Sequence, residues 1–148
     1  MLLAFDIGNT NIVIGVFQQD KLLADWRVAS ARQKTFDEYG LLLEQFFQSR
    51  HLQRKDVTDI IISSVVPNLT DIIKLMCEYY FQLTPMIVGN GLKTGMPIRY
   101  ENPKEVGADR IVNAVAAIEQ YGTPLIILDF GTATTFCVVN EKGEYLGG

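Results

Sequence analysis

Two short stretches of this sequence share a pattern with a chemical use. Asp6-Ile7-Gly8-Asn9-Thr10 and Asp129-Phe130-Gly131-Thr132-Ala133 each set an aspartate two residues ahead of a glycine, and each leads into a β-rich run, 12–17 and 136–139. A glycine in such a turn carries no Cβ, so backbone amides and short hydroxyl or amide side chains can approach phosphate oxygens closely. The aspartate at the strand end can hold a hydrated Mg²⁺ or another cation beside those phosphates. A single turn of this kind is ordinary hairpin chemistry. Two copies, each with threonines close behind (Thr10; Thr132, Thr134 and Thr135), point to phosphate binding. There is no Gly-Lys dipeptide, hence no P-loop, and no GxGxxG.

A third stretch, Gly107-Ala108-Asp109-Arg110, falls early in a helix expected over residues 103–121. The helix dipole favours a negative side chain there, as a general base requires. The Arg110 fork suits a carboxylate. On the residues alone, a surface Asp–Arg pair is the plainer account. His51, the single histidine, ends a helix on its polar side, where it suits the dipole better than a catalytic role. Cys77 and Cys137 show no CxxC spacing and read as reduced, buried thiols. Tyr79-Tyr80-Phe81 fits either a partner surface or a buried helix end.

The elements that must position these residues follow from pattern. Residues 2–6, 12–17 and 22–28 read as three short antiparallel strands joined by tight turns. Thr35-Phe36-Asp37-Glu38 has the spacing of a capping box, and Phe36, Tyr39, Leu42, Leu43, Phe46 and Phe47 continue it as a helix to about Ser49. Residues 59–66 form an apolar, β-branched run expected to be a buried strand. Pro67 opens a helix through about Phe81, and 86–88 is a short strand. The Gly-rich connection 89–102 is long enough to suggest function. Asn102-Pro103-Lys104-Glu105 reads as the cap and first turn of the 103–121 helix. Strands follow over 125–129 and 135–139.

The order β-β-β-α-β-α-β-α-β-β predicts an α/β fold, a mixed sheet with helices on both faces. The repeated strand–turn–strand unit implies a duplicated architecture. The expected organisation is a first domain over 1–122, ribonuclease H-like in its βββαβαβα order, and the first hairpin of a second, incomplete copy over 123–148.

Composition excludes several classes. The 148 residues are 48% apolar and 20% charged, an ordinary globular balance. Thirteen basic against seventeen acidic residues give −4, which argues against a nucleic-acid partner. No apolar run approaches a membrane span, and the first residues are unlike a secretory signal.

The paired turns are the signature of the actin, hexokinase and Hsp70-like ATPase superfamily, and the chain more closely resembles the type III pantothenate kinases. Asp6-Ile7-Gly8-Asn9-Thr10-Asn11 is similar to their first phosphate motif and Ile62-Ser63-Ser64-Val65-Val66-Pro67 to their next strand. Gly107-Ala108-Asp109-Arg110 is similar to their substrate motif, and 129–135 to their second phosphate motif. The resemblance implies ATP-dependent phosphorylation of the primary hydroxyl of pantothenate, the first step toward coenzyme A, in a cytoplasmic homodimer. It implies an ATP phosphate site at Asp6, Ile7, Gly8, Asn9, Thr10, Asn11, Ile12 and Val13, with Thr132 also touching ATP and Asp6 near Mg²⁺. It makes Asp109 the general base, gives Tyr100, Gly107, Ala108, Asp109 and Arg110 to pantothenate, and Asp129 to a monovalent cation, K⁺ or NH₄⁺.

The family pattern runs past Gly148, so a partial chain with an open cleft and exposed sheet edges is expected. Three other readings compete: an actin-like ATP-binding switch or scaffold without kinase activity, an accessory transcription regulator, and a kinase for another acid or sugar. The Gly-Ala before Asp109-Arg110 favours a small-molecule enzyme over a scaffold.

Overall fold

The computed structural model describes residues 1–89 and 91–148; of the Gly-rich connection 89–102, Asn90 lies outside the described residues. The chain divides into two compact units, Met1–Ile87 and Val88–Gly148.

The first unit is built on a five-stranded sheet of order β3-β2-β1-β4-β5. Its strands are β1 (Leu2–Ile7), β2 (Asn11–Gln18), β3 (Lys21–Ala29), β4 (Asp59–Ser64) and β5 (Met86–Ile87). The three N-terminal strands are antiparallel, as their alternation and tight turns predict, while β4 and β5 add in parallel. Alternate residues Leu3, Phe5 and Ile7 of β1, Ile12, Ile14 and Val16 of β2, and Ile60 and Ile62 of β4 are buried on one face. Helices α1 (Phe36–Ser49) and α2 (Pro67–Met76) supply Tyr39, Leu43, Phe47, Leu69, Ile73 and Met76 to that same core. Burying side chains of this size is worth roughly 1.5–3 kcal/mol each.

Local chemistry fixes the ends of α1. The Thr35 hydroxyl accepts from the Glu38 amide at 3.3 Å, and the Glu38 carboxylate accepts from the Thr35 amide at 2.8 Å. This second bond in particular, with the Thr35 hydroxyl, holds the Glu38 pKa below its ordinary value. Trp26 stacks on Phe46 with ring centroids 5.2 Å apart.

The helix expected to run from Pro67 through Phe81 changes character partway. Regular α geometry stops at Met76, and Cys77–Phe81 is a wider π turn ending on Gln82 at φ 56°. Tyr80 in this turn lies on Gly40 of α1, where an added Cβ would come within 2.4 Å of the Tyr80 ring. Its hydroxyl donates to Asp37 at 2.9 Å. Tyr79 is exposed, Tyr80 and Phe81 are partly buried, and Phe81 packs edge-on to Phe47. The triplet therefore closes the helix end, with one ring left outside.

The second unit holds α3 (Ala108–Tyr121) and a three-stranded antiparallel sheet of order β6-β7-β8: Leu125–Phe130, Thr134–Val139 and Tyr145–Gly147. Ile126, Leu128, Phe130 and Phe136 are exposed on this sheet. The single helix expected over 103–121 is two pieces. Pro103–Glu105 is a short 3₁₀ turn capped by the Asn102 side chain, which accepts from the Lys104 amide at 3.3 Å. Val106 and Gly107 are extended, and α3 begins after them at Ala108. The cap and proline start a turn as read, but the chain straightens at Val106 and Gly107 before the longer helix begins.

Candidate active site

The first D-x-G turn joins β1 to β2. Ile7 pairs with Ile12, leaving residues 8–11 to close the hairpin. The Gly8 amide donates to the Asn11 carbonyl at 2.9 Å, and a Cβ on Gly8 would sit 3.2 Å from that oxygen. The loop is braced from β3's end: the Ser30 hydroxyl donates to the Gly8 carbonyl at 2.6 Å, and the Ser30 amide to the Thr10 carbonyl at 2.9 Å. Arg32 reaches the Asn9 side-chain oxygen at 3.5 Å. Asp6, Asn9, Thr10 and Asn11 are exposed and Gly8 and Val13 half-buried. Ile7 and Ile12 instead point into the core, so they can offer a ligand only backbone. The turn is thus a braced loop carrying short polar side chains at an exposed tip, suited to an anion such as phosphate.

Two serines follow on β4, beside β1. The Ser64 hydroxyl accepts from the Val66 amide at 3.0 Å, turning the chain into α2. The Ser63 hydroxyl is buried and has no hydrogen-bond partner.

The second turn joins β6 to β7 and is one residue shorter: Phe130 pairs with Thr134, leaving 131–133. Thr132 is exposed at its tip. Asp129 is half-buried, and its Oδ2 accepts from the Asn113 side-chain amide of α3 at 3.1 Å. Its Oδ1 lies 3.7 Å from where a Cβ on Gly131 would be. One oxygen is thus fixed, and the other faces the turn.

The Gly107–Arg110 stretch opens α3, with Gly107 extended at the cap and Asp109 in the first turn. Asp109 is half-buried, and its Oδ1 accepts from the Arg110 amide at 2.8 Å. The Arg110 side chain donates to the Gly148 carbonyl at 2.8 Å, and the Tyr145 hydroxyl acts on its charge. Burial works against the Arg110 charge, but Tyr145 and nearby groups more than offset it, so its pKa is raised. Tyr145 is buried and donates to Cys137 Sγ at 3.3 Å; burial, first, and that contact push its pKa up to about 12. Tyr100 lies across β8, where Gly147, at φ 110°, would bring a Cβ within 2.4 Å of the Tyr100 ring.

Unit by unit, the expected site residues fall into three groups: the first turn with Asp6, the second turn with Asp129, and the start of α3 with Tyr100 at β8. Sequence reading gave no functional role to Ser30, Ser63, Asn113 or Tyr145, although Ser63 falls within the 62–67 motif. Asn113 had a usable signal, since it stands four residues beyond Asp109 on the same helix face.

Magnesium usually keeps several waters and needs only one or two carboxylates besides phosphate oxygens. Asp6, exposed beside the braced turn, fits that demand, and the orphaned Ser63 hydroxyl in the adjoining strand is consistent with a polar group arriving there. Asp129, with one oxygen fixed by Asn113, fits a share in a monovalent cation site.

A mixed sheet opened by an antiparallel hairpin with a D-x-G turn, and a second such hairpin later in the chain, defines an actin- and hexokinase-like fold. Solved structures agree at the level of fold. The chain overlays a reductive activator for a corrinoid, iron-sulfur protein with a TM-score of 0.62 at 12% identity, covering 95% of this chain and 29% of that one. It overlays the ROK hexokinase of Thermus thermophilus with a TM-score of 0.52 at 17% identity, covering 99% and 49%. The profile of the type III pantothenate kinase family matches residues 2–148, and the chain belongs to that family. It is 57% identical over all 148 residues to the type III pantothenate kinases of Citrifermentans bemidjiense and Halalkalibacterium halodurans, and 55% to that of Bacillus cytotoxicus. The chain spans 58%, 58% and 56% of their lengths.

Proposed function

We propose that these residues serve the ATP-dependent phosphorylation of pantothenate to 4'-phosphopantothenate, the first step of coenzyme A biosynthesis. The observation that carries this reading is the start of α3. There Asp109 and Arg110 stand side by side within a substrate-like motif, and one nitrogen of the Arg110 guanidinium is anchored on the Gly148 carbonyl. Identity of 57% to relatives bearing that name, over all of this chain and 58% of theirs, supports it.

In this reading Arg110 binds the pantothenate carboxylate through two parallel hydrogen bonds. Tyr100, Gly107 and Ala108 complete the pantothenate contacts. Asp109 accepts the hydrogen bond of the primary hydroxyl, orients it toward the γ-phosphorus, and takes its proton as the new O–P bond forms and ADP leaves. Phosphoryl transfer depends mostly on positioning and charge neutralisation, so orientation is the larger part of its work. The backbone and short side chains from Asp6 to Val13, and Thr132 in the second turn, take phosphate oxygens of ATP. Mg²⁺ held near Asp6 supplies charge neutralisation on the transferring phosphate. Asp129 holds K⁺ or NH₄⁺. The proposed enzyme is a cytoplasmic homodimer; among the described residues no helix is long and apolar enough to cross a membrane. We assign 1–122 to its first ribonuclease H-like domain and 123–148 to the start of its second.

Coupled ADP release with ATP, Mg²⁺ and K⁺ tests the reading in a protein of the relatives' full length that carries these residues. Turnover that requires pantothenate is expected. Nucleotide binding with no pantothenate-dependent turnover would remove the substrate assignment and favour a switch.

A further inference from the structure

Among the described residues, Ser63 is the buried polar side chain left unsatisfied: it is 5% exposed, and its hydroxyl has no hydrogen-bond partner. A buried hydroxyl without a partner opposes folding, so its retention calls for a physical reason. Its neighbour Ser64 has one, the Val66 amide.

The register supplies the reason for Ser63. In the parallel β1–β4 ladder Ser63 stands opposite Asp6, so the two side chains leave the same face of the sheet from strands about 4.8 Å apart. That is the face opposite the core, which takes Phe5, Ile7 and Ile62. Around Ser63 on its own face, Ala4 and Ile61 offer no polar side chain; Asp6 does. In this register the Asp6 carboxylate is the polar side chain directly across the ladder from the Ser63 hydroxyl.

We infer that Ser63 is a positioning residue for Asp6. Its hydroxyl donates to one carboxylate oxygen and leaves the other turned toward the hydrated Mg²⁺ of a bound nucleotide. The inference rests on the reading that Asp6 stands beside magnesium. It also explains the orphan: the hydroxyl is kept for the liganded state, at the expense of the ligand-free one.

The test compares Ser63→Ala and Ser63→Thr with the unaltered full-length protein. Thermal melting is followed without ligands, and ATP binding is followed by calorimetry across a Mg²⁺ titration. Losing one hydrogen bond to a charged group predicts that Ser63→Ala needs about tenfold more Mg²⁺ for half-saturation of ATP binding. The same variant is expected to melt no lower than the parent, because no native bond is lost. Ser63→Thr, which keeps the hydroxyl, is expected to restore the Mg²⁺ requirement. An unchanged requirement in Ser63→Ala overturns the inference and leaves the Asp6 reading standing. So does a loss of ATP affinity that persists at saturating Mg²⁺. ATP binding by the unaltered protein that is indifferent to Mg²⁺ overturns both.

Discussion

The side-chain amide of Asn113 on α3 donates to the Asp129 carboxylate on β6 at 3.1 Å. Asn113 stands one helical turn beyond Asp109, so one face of α3 carries the proposed base and then the group that fixes the aspartate of the second turn. Helix α3 and the Asp129 carboxylate of the second turn are thereby tied by a hydrogen bond.

Removing that amide should loosen the cation site without touching the base. Asn113→Ala is expected to raise the K⁺ concentration for half-maximal turnover by about tenfold, from the loss of one hydrogen bond to a carboxylate. Turnover at saturating K⁺ should remain within about twofold of the parent. A K⁺ titration of initial rates decides it, and an unchanged titration would separate Asp129 from the cation.

Gly147 permits Tyr100 to lie across β8. In Gly147→Ala the new Cβ would fall within 2.4 Å of the Tyr100 ring, at a φ of 110° that side chains rarely adopt. The ring must leave, and KM for pantothenate is expected to rise several-fold, with KM for ATP little changed. Equal shifts in both would mean that the substitution disturbs more than the Tyr100 contact.

Gly40 is a packing glycine in the middle of α1. Alanine there gains up to about 1 kcal/mol of helix propensity. Its Cβ, however, would displace the Tyr80 ring and break the 2.9 Å bond to Asp37. Overpacking of this kind costs roughly 1–3 kcal/mol, so Gly40→Ala should destabilise on balance. Denaturant unfolding measures this, and Tyr80→Ala in the same chain should remove most of the clash.

The strands and helices of the first unit were legible because their signals are local. Alternation over 2–6 and 12–17 and the Thr35–Glu38 spacing each specify a structure within a few residues. The π turn at Cys77–Phe81 was not, because apolar spacing runs on past Met76 and the change depends on how Tyr80 seats on Gly40, forty residues away. The break before α3 was half visible: Asn102 and Pro103 start a turn, but the straightening at Val106 and Gly107 leaves no sharp mark in the sequence. Within the candidate site, the turns and the Gly107–Arg110 stretch stand out as motifs. Tyr145 does not, and Ser63 is visible only as part of the 62–67 stretch with no role attached, since their meaning lies in partners brought near by sheet register, or in the lack of one.

Burial foremost, and then Glu78, pushes the Cys77 thiol up to about 12 from an ordinary 9.0. The folded state keeps this proton longer than the unfolded one. Its contribution to stability is therefore complete below about pH 9 and is lost as pH rises from there toward 12. Tyr145, also at about 12 in the fold, acts in the same sense from about pH 10 upward. Melting temperature should accordingly fall steeply above pH 9, and Cys77 should resist thiol reagents at pH 8 until the protein unfolds. Rapid labelling of native Cys77 at that pH would contradict the burial assigned to it.

The central claim is that Asp109 acts on the pantothenate hydroxyl, and the product tests it most directly. ³¹P spectroscopy of a reaction with ATP, Mg²⁺, K⁺ and pantothenate, run with a protein of the relatives' full length, should show the phosphate monoester of pantothenate growing as ATP disappears. Asp109→Asn keeps the shape of the side chain and removes its charge. It is expected to lower that signal by about 10²-fold or more, the usual reach of a positioned acid–base group, while ATP still binds. Undiminished formation of the monoester by Asp109→Asn would contradict the account.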